Sequence, residues 1–250
     1  MIENSLSVSR AGRGEPIVLL HGWGMNAAVF EPLLGLLAGR REVITVDLPG
    51  YGQSPWNATL SFADQVALIA ENIPAGTLLG WSMGGLYATE LARQNTGRFE
   101  RLILMCSNPC FVRRSGWRFA IDESVFDAFA MSLEQGWVNT IQHFLSLQML
   151  GNVNARCLIR DLIVKLKQAG EPDAEALKFG LGLLKAADTR PVLSQLQIPI
   201  DMIFGRRDAL VPIAVAQQIH KVNAKIRVES LADAAHTPFL SHTAEIAALI

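Results

Sequence analysis

The sequence predicts one α/β domain with a doubly wound, mostly parallel sheet. Short apolar runs alternate along the chain with longer stretches of helical periodicity, which is the pattern of β-α units. Most of these runs are apolar throughout rather than at every second residue, as expected for strands that helices cover on both faces. The chain has 250 residues and half of them are apolar. It can therefore bury a large core without disulfides or metals.

The elements alternate in a regular order at both ends of the chain. The predicted strands are Pro16–Leu20, Glu42–Val46, Thr77–Leu79, Arg101–Met105, Ile200–Phe204 and Ile226–Ser230. The helices predicted between the first four strands are Ala27–Ala38, Phe62–Ile73 and Gly84–Gln94.

A central segment interrupts this alternation, because it carries helical patterns and no convincing strand. Apolar residues fall at helical spacing in Trp137–Leu150, and Asn154–Gln168 continues in the same style. We therefore predict a helical cap, residues 112–187, inserted into a core formed by residues 1–111 and 188–250. An insertion over the carboxyl ends of parallel strands would cover any site located there.

Composition argues against several classes of protein. The chain has 22 Lys and Arg residues against 23 Asp and Glu residues, and a nucleic-acid binder needs a more basic surface. No apolar run is long enough to span a bilayer, and the N-terminus lacks the pattern of a signal peptide. The three cysteines, Cys106, Cys110 and Cys157, are an odd and small number without a signal sequence, which fits a reducing cytoplasm. Cys106 and Cys110 have no histidine cluster near them, so we expect buried thiols and no metal site.

The strongest chemical signal is a G-x-S-x-G motif, which lies between a predicted strand and a predicted helix. Its residues are Gly80-Trp81-Ser82-Met83-Gly84. The glycines remove side chains that would clash in a sharp turn, and the turn pushes the Ser82 hydroxyl out above the sheet. Ser82 is therefore the candidate nucleophile, and a purely structural turn is the alternative.

A serine nucleophile needs a base to take its proton, and the base needs an acid to orient it. Of the five histidines, His236 follows the last predicted strand in a loop that can return over the sheet. Asp208 follows the strand Ile200–Phe204, whereas Asp201 lies at the opposite end of that strand. The order Ser82, Asp208, His236 is the nucleophile–acid–base order of α/β-hydrolases. We therefore predict that these three residues form a catalytic triad.

An oxyanion hole requires two N–H donors aimed at the charge that develops in the transition state. The backbone N–H of Met83, next to the nucleophile, is the first predicted donor. The loop His21-Gly22-Trp23-Gly24 follows the first predicted core strand, and the N–H of Trp23 is our candidate for the second donor. We expect the Trp23 indole either to form a wall of the ester site or simply to pack, and His21 to brace the loop.

The same loop offers a competing interpretation. The segment from Gly22 to Ala27 fits G-x-G-x-x-A after a strand, and Asp47 ends the next strand, as in a dinucleotide-binding oxidoreductase. However, Asp47 also opens the glycine-rich segment Asp47-Leu48-Pro49-Gly50, and an oxidoreductase leaves the predicted triad unexplained. We therefore interpret Asp47 as a brace for the loops below the site, and we predict no cofactor.

With these residues placed, the chain resembles the α/β-hydrolases. More narrowly, it resembles the pimeloyl-[acyl-carrier protein] methyl ester carboxylesterases of biotin synthesis, over nearly its whole length. The segments that carry the resemblance are His21-Gly22-Trp23-Gly24, Asp47-Leu48-Pro49-Gly50, Gly80-Trp81-Ser82-Met83-Gly84-Gly85, Ser107-Asn108-Pro109-Cys110-Phe111, Phe144-Leu145-Ser146-Leu147-Gln148 and His236-Thr237-Pro238-Phe239.

The resemblance implies cleavage of a methyl ester on a pimeloyl chain held by an acyl carrier protein, with release of methanol and without a cofactor. It implies that the predicted triad acts on this ester. The residues that it places against the ester are Trp23, Ser82, Met83 and His236. The residues that it places along the acyl channel are Phe144, Leu145, Ser146, Leu147 and Gln148.

The resemblance also implies that basic residues of the cap meet the acidic carrier protein. Arg156 and Arg160 lie one helical turn apart, and Lys167 falls on the same face at 100° per residue. The solvated face of an amphipathic helix produces the same pattern. Two other functions stay open: a hydrolase of small esters or C–C bonds with the same triad, and a non-catalytic binder. We expect a monomer without nucleic-acid or membrane partners.

Overall fold

The structure, a computed structural model, describes residues 5–133, 136–148 and 155–250; the side chains of residues 143–144, 147–148 and 155–158 also lie outside the description. The strands are β1 Val8–Gly12, β2 Pro16–Leu20, β3 Glu42–Val46, β4 Gly76–Trp81, β5 Phe99–Met105, β6 Ile200–Gly205 and β7 Arg227–Leu231. They form one sheet in the order β1-β3-β2-β4-β5-β6-β7. Strand β1 pairs antiparallel with β3, and the other pairs are parallel.

Helices cover the sheet and fill the long connection between β5 and β6. They are α1 Glu31–Leu37, α2 Phe62–Asn72, α3 Gly84–Gln94, α4 Glu123–Ser132, α5 Trp137–Gln148, α6 Ala155–Ala169, α7 Ala174–Ala186, α8 Arg190–Gln195, α9 Val215–Val222, α10 Pro238–Ser241 and α11 Thr243–Leu249. In the described part of the chain, none of them combines the length and apolar character needed to cross a bilayer.

The predicted parallel α/β sheet is confirmed, and its first strand is the element that the sequence analysis missed. Strands β2 and β3 have the predicted bounds because each is a short, mostly apolar run whose last four residues are buried. Strand β1, in contrast, includes the exposed residues Ser9 and Arg10. It lies at the edge of the sheet and pairs with β3 alone, so its sequence lacks the signature of a central strand.

The predicted helix Ala27–Ala38 divides into two elements. Residues Ala27–Phe30 form a 3-10 turn, in which the Asn26 side chain accepts a hydrogen bond from the N–H of Ala28 (3.2 Å). The α-helix begins at Glu31 and has Pro32 in its first turn. Proline has no N–H and crowds the preceding turn, so it is tolerated at the start of a helix and not in its interior.

Helices α6 and α7 pack on the loops that follow β2 and β3. The Asn26 side-chain amide donates to the carbonyl of Leu166 on α6 (3.1 Å), and the Trp23 indole N–H donates to the carbonyl of Leu177 on α7 (2.9 Å). The N–H of Asp173 donates to the carbonyl of Gly50 (2.8 Å). These bonds place the inserted helices over the carboxyl ends of two central strands. The division into a core and a cap remains a prediction.

Candidate active site

Ser82 occupies a strained turn between β4 and α3. Its φ is +54°, in the left-handed region, which costs a non-glycine residue about 1–3 kcal/mol. Glycines make the turn possible: a Cβ on Gly80 would lie 2.4 Å from the carbonyl oxygen of Gly84. A Cβ on Gly84 would lie 2.1 Å from the carbonyl oxygen of Leu20. The G-x-S-x-G motif is therefore a steric requirement of this turn.

Hydrogen bonds on both sides of Ser82 hold its backbone in place. Its N–H donates to the carbonyl of Met105 at the end of β5 (3.0 Å). Its carbonyl accepts from the N–H of Gly85 (2.9 Å) and from the hydroxyl of Ser107 (2.9 Å). Both backbone polar groups of Ser82 are thus paired, so the surroundings over-determine the strained conformation.

The structure brings the three predicted triad residues together. The His236 Nδ1 lies 2.7 Å from Asp208 Oδ2, and its Nε2 lies 3.0 Å from Ser82 Oγ. A carboxylate can only accept, so Nδ1 carries the proton and Nε2 presents its lone pair to the Ser82 hydroxyl. All three residues are buried, and His236 is completely so. This is the geometry in which an imidazole can remove a proton from a serine.

Hydrogen bonds to neighbouring groups hold the acid, Asp208, and the base, His236, in place. Asp208 Oδ1 accepts from the N–H groups of Leu210 (2.8 Å) and Val211 (3.0 Å), which fixes the carboxylate. The Trp81 indole N–H donates to the carbonyl of His236 (2.7 Å), and the two rings lie 5.6 Å apart. The sequence analysis missed this role of Trp81. The sequence did contain a signal for this role. Trp81 stands next to the nucleophile, and a buried indole N–H needs a hydrogen-bond acceptor.

Cys106 lies beside the acid and the base, at the end of β5. Its Sγ and the ligand atoms of Asp208 and His236 all lie within 4.8 Å of one another. Burial, and then the negative charge of Asp208, raise the pKa of the thiol well above its usual value, so it stays protonated. The thiol lies 3.8 Å from the carbonyl of Ala235, to which it donates. Both ring nitrogens of His236 are engaged in hydrogen bonds, to Asp208 and to Ser82, and Cys106 packs beside this pair without bonding to the imidazole in the described residues.

The two predicted oxyanion donors border the nucleophile. Met83 precedes the first turn of α3, where backbone N–H groups are not yet part of the helical ladder and favour negative charge. Trp23 is buried, and helix α7 packs against both residues at Gly180. A Cβ on Gly180 would lie 2.8 Å from Trp23 Cδ1 and 3.1 Å from Met83 Sδ. Gly24 likewise allows close packing, since its Cβ would lie 2.1 Å from Ile141 Cδ1 on α5.

His21 and Asp47 brace the loops around the site, as predicted. The His21 Nε2 accepts from the N–H of Leu48 (3.0 Å), so its Nδ1 is protonated and donates to the carbonyl of Gly22 (2.9 Å). Burial lowers the pKa of His21, although the charge of Asp47 opposes this shift. The two oxygens of Asp47 accept from the N–H groups of Ala27 (2.8 Å) and Gln53 (3.0 Å), and so join two loops.

A cavity of about 450 Å³ opens beside the nucleophile. Its walls are mostly aromatic and aliphatic, and its rim carries the ion pair between Arg113 and Asp122 (3.3 Å). Val125, which also borders the cavity, is 61% exposed, so this side faces solvent. We call this space the acyl cavity; its described lining is Trp23, Ser82, Phe111, Arg113, Ala120, Ile121, Asp122, Val125, Phe126, Phe129, Leu184, Ala209, Leu210 and Pro212.

The prediction that Leu145 and Ser146 line the acyl channel is not met, since neither is among the described residues that line the cavity beside Ser82. Leu145 is fully buried, and Ser146 is exposed, with its hydroxyl donating to the carbonyl of Gln142 (2.7 Å). Arg160 and Lys167 are exposed on α6. The predicted residues whose side chains lie outside the described residues are Phe144, Leu147, Gln148 and Arg156.

The sheet, the serine turn and its two partners are those of a hydrolase, and comparison with known proteins agrees. The chain belongs to the alpha/beta hydrolase family, whose family model matches residues 17–249. The nucleophile–acid–base order predicted from the sequence is the order found in this family.

Relatives with assigned names indicate which kind of hydrolase this chain is similar to. The chain is 39% identical to the pimeloyl-[acyl-carrier protein] methyl ester esterase of Aeromonas hydrophila, over 98% of each chain. It is 38% identical to the protein of the same name from Xanthomonas campestris, over 94% of this chain and 93% of the relative. The resemblance inferred from the sequence is thereby confirmed. Among solved structures, an esterase from Exiguobacterium antarcticum shares the fold, with a TM-score of 0.86 at 23% identity over 98% of this chain and 93% of that one.

Proposed function

We propose that this protein is a serine carboxylesterase that hydrolyses pimeloyl-[acyl-carrier protein] methyl ester and releases methanol in biotin synthesis. The observation that carries the proposal is the position of His236, whose ring joins Ser82 Oγ (3.0 Å) to the Asp208 carboxylate (2.7 Å). Two relatives at 38–39% identity carry the name of this esterase. Together, the site supports the chemistry and the relatives support the substrate.

The reaction follows from the placement of these groups. His236 Nε2 takes the Ser82 proton as Oγ attacks the ester carbonyl, and Asp208 stabilises the imidazolium that forms. The N–H groups of Met83 and Trp23 hold the resulting oxyanion; each such donor is worth about 2.7–4 kcal/mol. The imidazolium then protonates the departing methoxide, methanol leaves, and an acyl-serine remains. Water attacks this ester with His236 as base, which frees the acid and restores the Ser82 hydroxyl.

The acyl cavity fits an apolar chain whose far end stays tethered. Its apolar walls extend from Ser82 toward a rim where Val125 and the side chain of Arg113 are largely exposed. A chain bound by its methyl ester end at Ser82 can therefore leave the cavity at this rim. A carrier protein that holds the other end of the chain would then remain outside the fold.

We place the carrier-docking face on α6. Arg160 and Lys167 are exposed on one flank of the buried stripe of Ile159, Leu162 and Leu166, and Arg156 belongs to the same predicted face. An acidic carrier would be attracted to this surface, mainly through its association rate. Charge reversal at Arg156 and Arg160 should raise KM for carrier-bound substrate alone, whereas reversal of the exposed Lys225 should not. Equal effects on free esters would contradict docking on α6.

The described cysteines support a cytoplasmic location, and the helical segment between β5 and β6 supports a cap over the site. Cys106 and Cys110 are free and buried, which fits a reducing cytoplasm. Residues 112–187, as a cap, would shield the site from water during catalysis.

The test is methanol release from carrier-bound pimeloyl methyl ester and from free short methyl esters. We expect the protein to turn over the carrier-bound ester, Ser82→Ala to abolish turnover, and Ser194→Ala, a change at an exposed serine, to leave it intact. Turnover of free esters without turnover of the carrier-bound ester would contradict the biotin-pathway substrate and favour a general esterase. Full activity of Ser82→Ala would contradict the triad itself.

A further inference from the structure

A second cavity lies next to the acyl cavity, and Phe126 lines both of them. This cavity has a volume of about 610 Å³ and lies between helices α4 and α7. Among the described lining residues of the two cavities, Phe126 is the one that they share. Its side chain is buried. The Phe126 ring is therefore a wall of both cavities at once.

The helices on either side of this ring are fastened to each other. Lys185 on α7 pairs with Asp127 (2.7 Å) and with Glu123 (3.1 Å), which lie on α4 on either side of Phe126 along the chain. These ion pairs are partly exposed, so each contributes little to stability, but together they fix which part of α4 faces α7. Trimming the Phe126 side chain would therefore open a passage rather than move a helix.

The walls of the second cavity suit a hydrocarbon chain. Its lining includes the aliphatic residues Leu133, Leu177 and Leu181 and the ring of Trp137. Each methylene that enters such a space from water is worth about fourfold in binding. An acyl chain that could pass Phe126 would thus bind more tightly with every added carbon. The Phe126 ring blocks that passage, so the native protein does not gain this affinity.

We propose that Phe126 is the specificity-determining residue that limits acyl-chain length, by closing the acyl cavity against the second cavity. This inference rests on the proposed function, because it takes the acyl chain to lie in the cavity that borders Ser82. The second cavity is then an apolar extension that the native side chain keeps out of use. Free acyl chains that end before this ring fit within the acyl cavity. Longer free chains, like the carrier-bound chain, must leave by the solvent-facing rim and gain no contact with the second cavity.

The test compares methyl esters of butanoic, hexanoic, octanoic, decanoic and dodecanoic acid, each below its solubility limit, with methanol release as the signal. In Phe126→Ala, we expect the ratio of kcat/KM for dodecanoate to that for hexanoate to rise at least about tenfold over the native protein. Leu133→Ala is the matched control, since it enlarges the second cavity and leaves the ring in place. Its ratio should match that of the native protein.

An unchanged ratio in a folded Phe126→Ala protein that still cleaves hexanoate would overturn the inference. An equal rise in Leu133→Ala would also overturn it, because general loosening would then explain the result. Should Phe126→Ala fail to fold, Phe126→Leu replaces the ring by a smaller side chain, and its ratio is expected to rise and decides in the same way. Failure of the proposed function is distinguishable, because the native protein would then leave the carrier-bound ester uncleaved or cleave none of the esters, whatever the chain-length ratio of Phe126→Ala.

Discussion

A single methyl group on helix α7 should disturb the oxyanion hole from a distance. Gly180 lies inside α7, and a Cβ there would lie 2.7 Å from Tyr51 Oη, 2.8 Å from Trp23 Cδ1 and 3.1 Å from Met83 Sδ. Tyr51 and Trp23 are buried rings that have little room to yield. Gly180→Ala must therefore displace α7 or Trp23 and Met83, the two residues predicted to carry the oxyanion donors.

The same helix provides the control. Gly182 faces away, and a Cβ on it would meet no atom within 4 Å, so Gly182→Ala should raise the free energy of unfolding by about 0.5–1 kcal/mol through helix propensity. Gly180→Ala gains the same contribution from helix propensity, but overpacking lowers its free energy of unfolding by about 1–3 kcal/mol. The two variants should therefore differ in unfolding free energy by about 1–3 kcal/mol.

Activity should separate the variants more widely than stability. An ångström of misplacement at a catalytic group costs up to about 100-fold, so we expect kcat for Gly180→Ala to fall by roughly 10- to 100-fold, with Gly182→Ala near the native rate. Urea unfolding and initial rates of ester hydrolysis measure both effects. A Gly180→Ala protein with native kcat and the stability of Gly182→Ala would refute the claim that α7 holds the oxyanion donors.

Three further changes test the groups around the site. Asp208→Asn should lower kcat about 10⁴-fold in ester hydrolysis, because an amide can no longer impose the His236 tautomer that receives the serine proton; a loss of less than tenfold would argue against this role. Asp47→Asn turns one of its two acceptor oxygens into a donor that faces an N–H, and should lower the free energy of unfolding by about 1.5–3 kcal/mol in urea, with a change under about 0.5 kcal/mol as the contrary result. Burial lowers the pKa of His21 from 6.5, so the unfolded chain binds this proton first and the fold loses stability as the pH falls below 6.5. Between pH 7.5 and 5.5 the native protein should lose more free energy of unfolding than His21→Gln in urea titrations, and equal losses would contradict a neutral buried His21.

Most strands of the sheet could be predicted from the sequence, because a strand buried on both faces is a recognisable run of mostly apolar residues. Central strands such as β2 and β3 are mostly apolar and are buried at their last four positions, since helices cover both of their faces. The edge strand β1 has one neighbour and partly exposed side chains, so nothing in its short, mixed sequence marks it as a strand. The pairing that defines it is with β3, whose paired residues lie 30 to 38 positions further along the chain.

The predicted triad residues could be chosen because each one follows a strand. A loop after a parallel strand opens at the carboxyl edge of the sheet, so Ser82, Asp208 and His236 could be placed on one edge from chain order alone. The contacts that support them were beyond this reasoning. That Trp81 binds the carbonyl of His236 depends on two segments 155 residues apart.

The glycines also show which features can be predicted from the sequence and which depend on packing. Gly80 and Gly84 sit within a motif whose turn is known, so their role could be stated from the sequence. Gly180 looks like a helix-weakening residue when read locally. Only the packing of α7 on Trp23 shows that a larger side chain has no space there. The division of the two cavities by Phe126 is likewise a property of helix packing and not of any motif.

The most direct test of the account is the site of acylation during the first turnover. The protein should release a stoichiometric burst of p-nitrophenol from p-nitrophenyl hexanoate, and acid-quenched samples should carry one hexanoyl group on the peptide that contains Ser82. The Ser82→Ala protein should show neither the burst nor the mass increase. A hexanoyl group on any other residue, or an undiminished burst in Ser82→Ala, would contradict nucleophilic catalysis by Ser82.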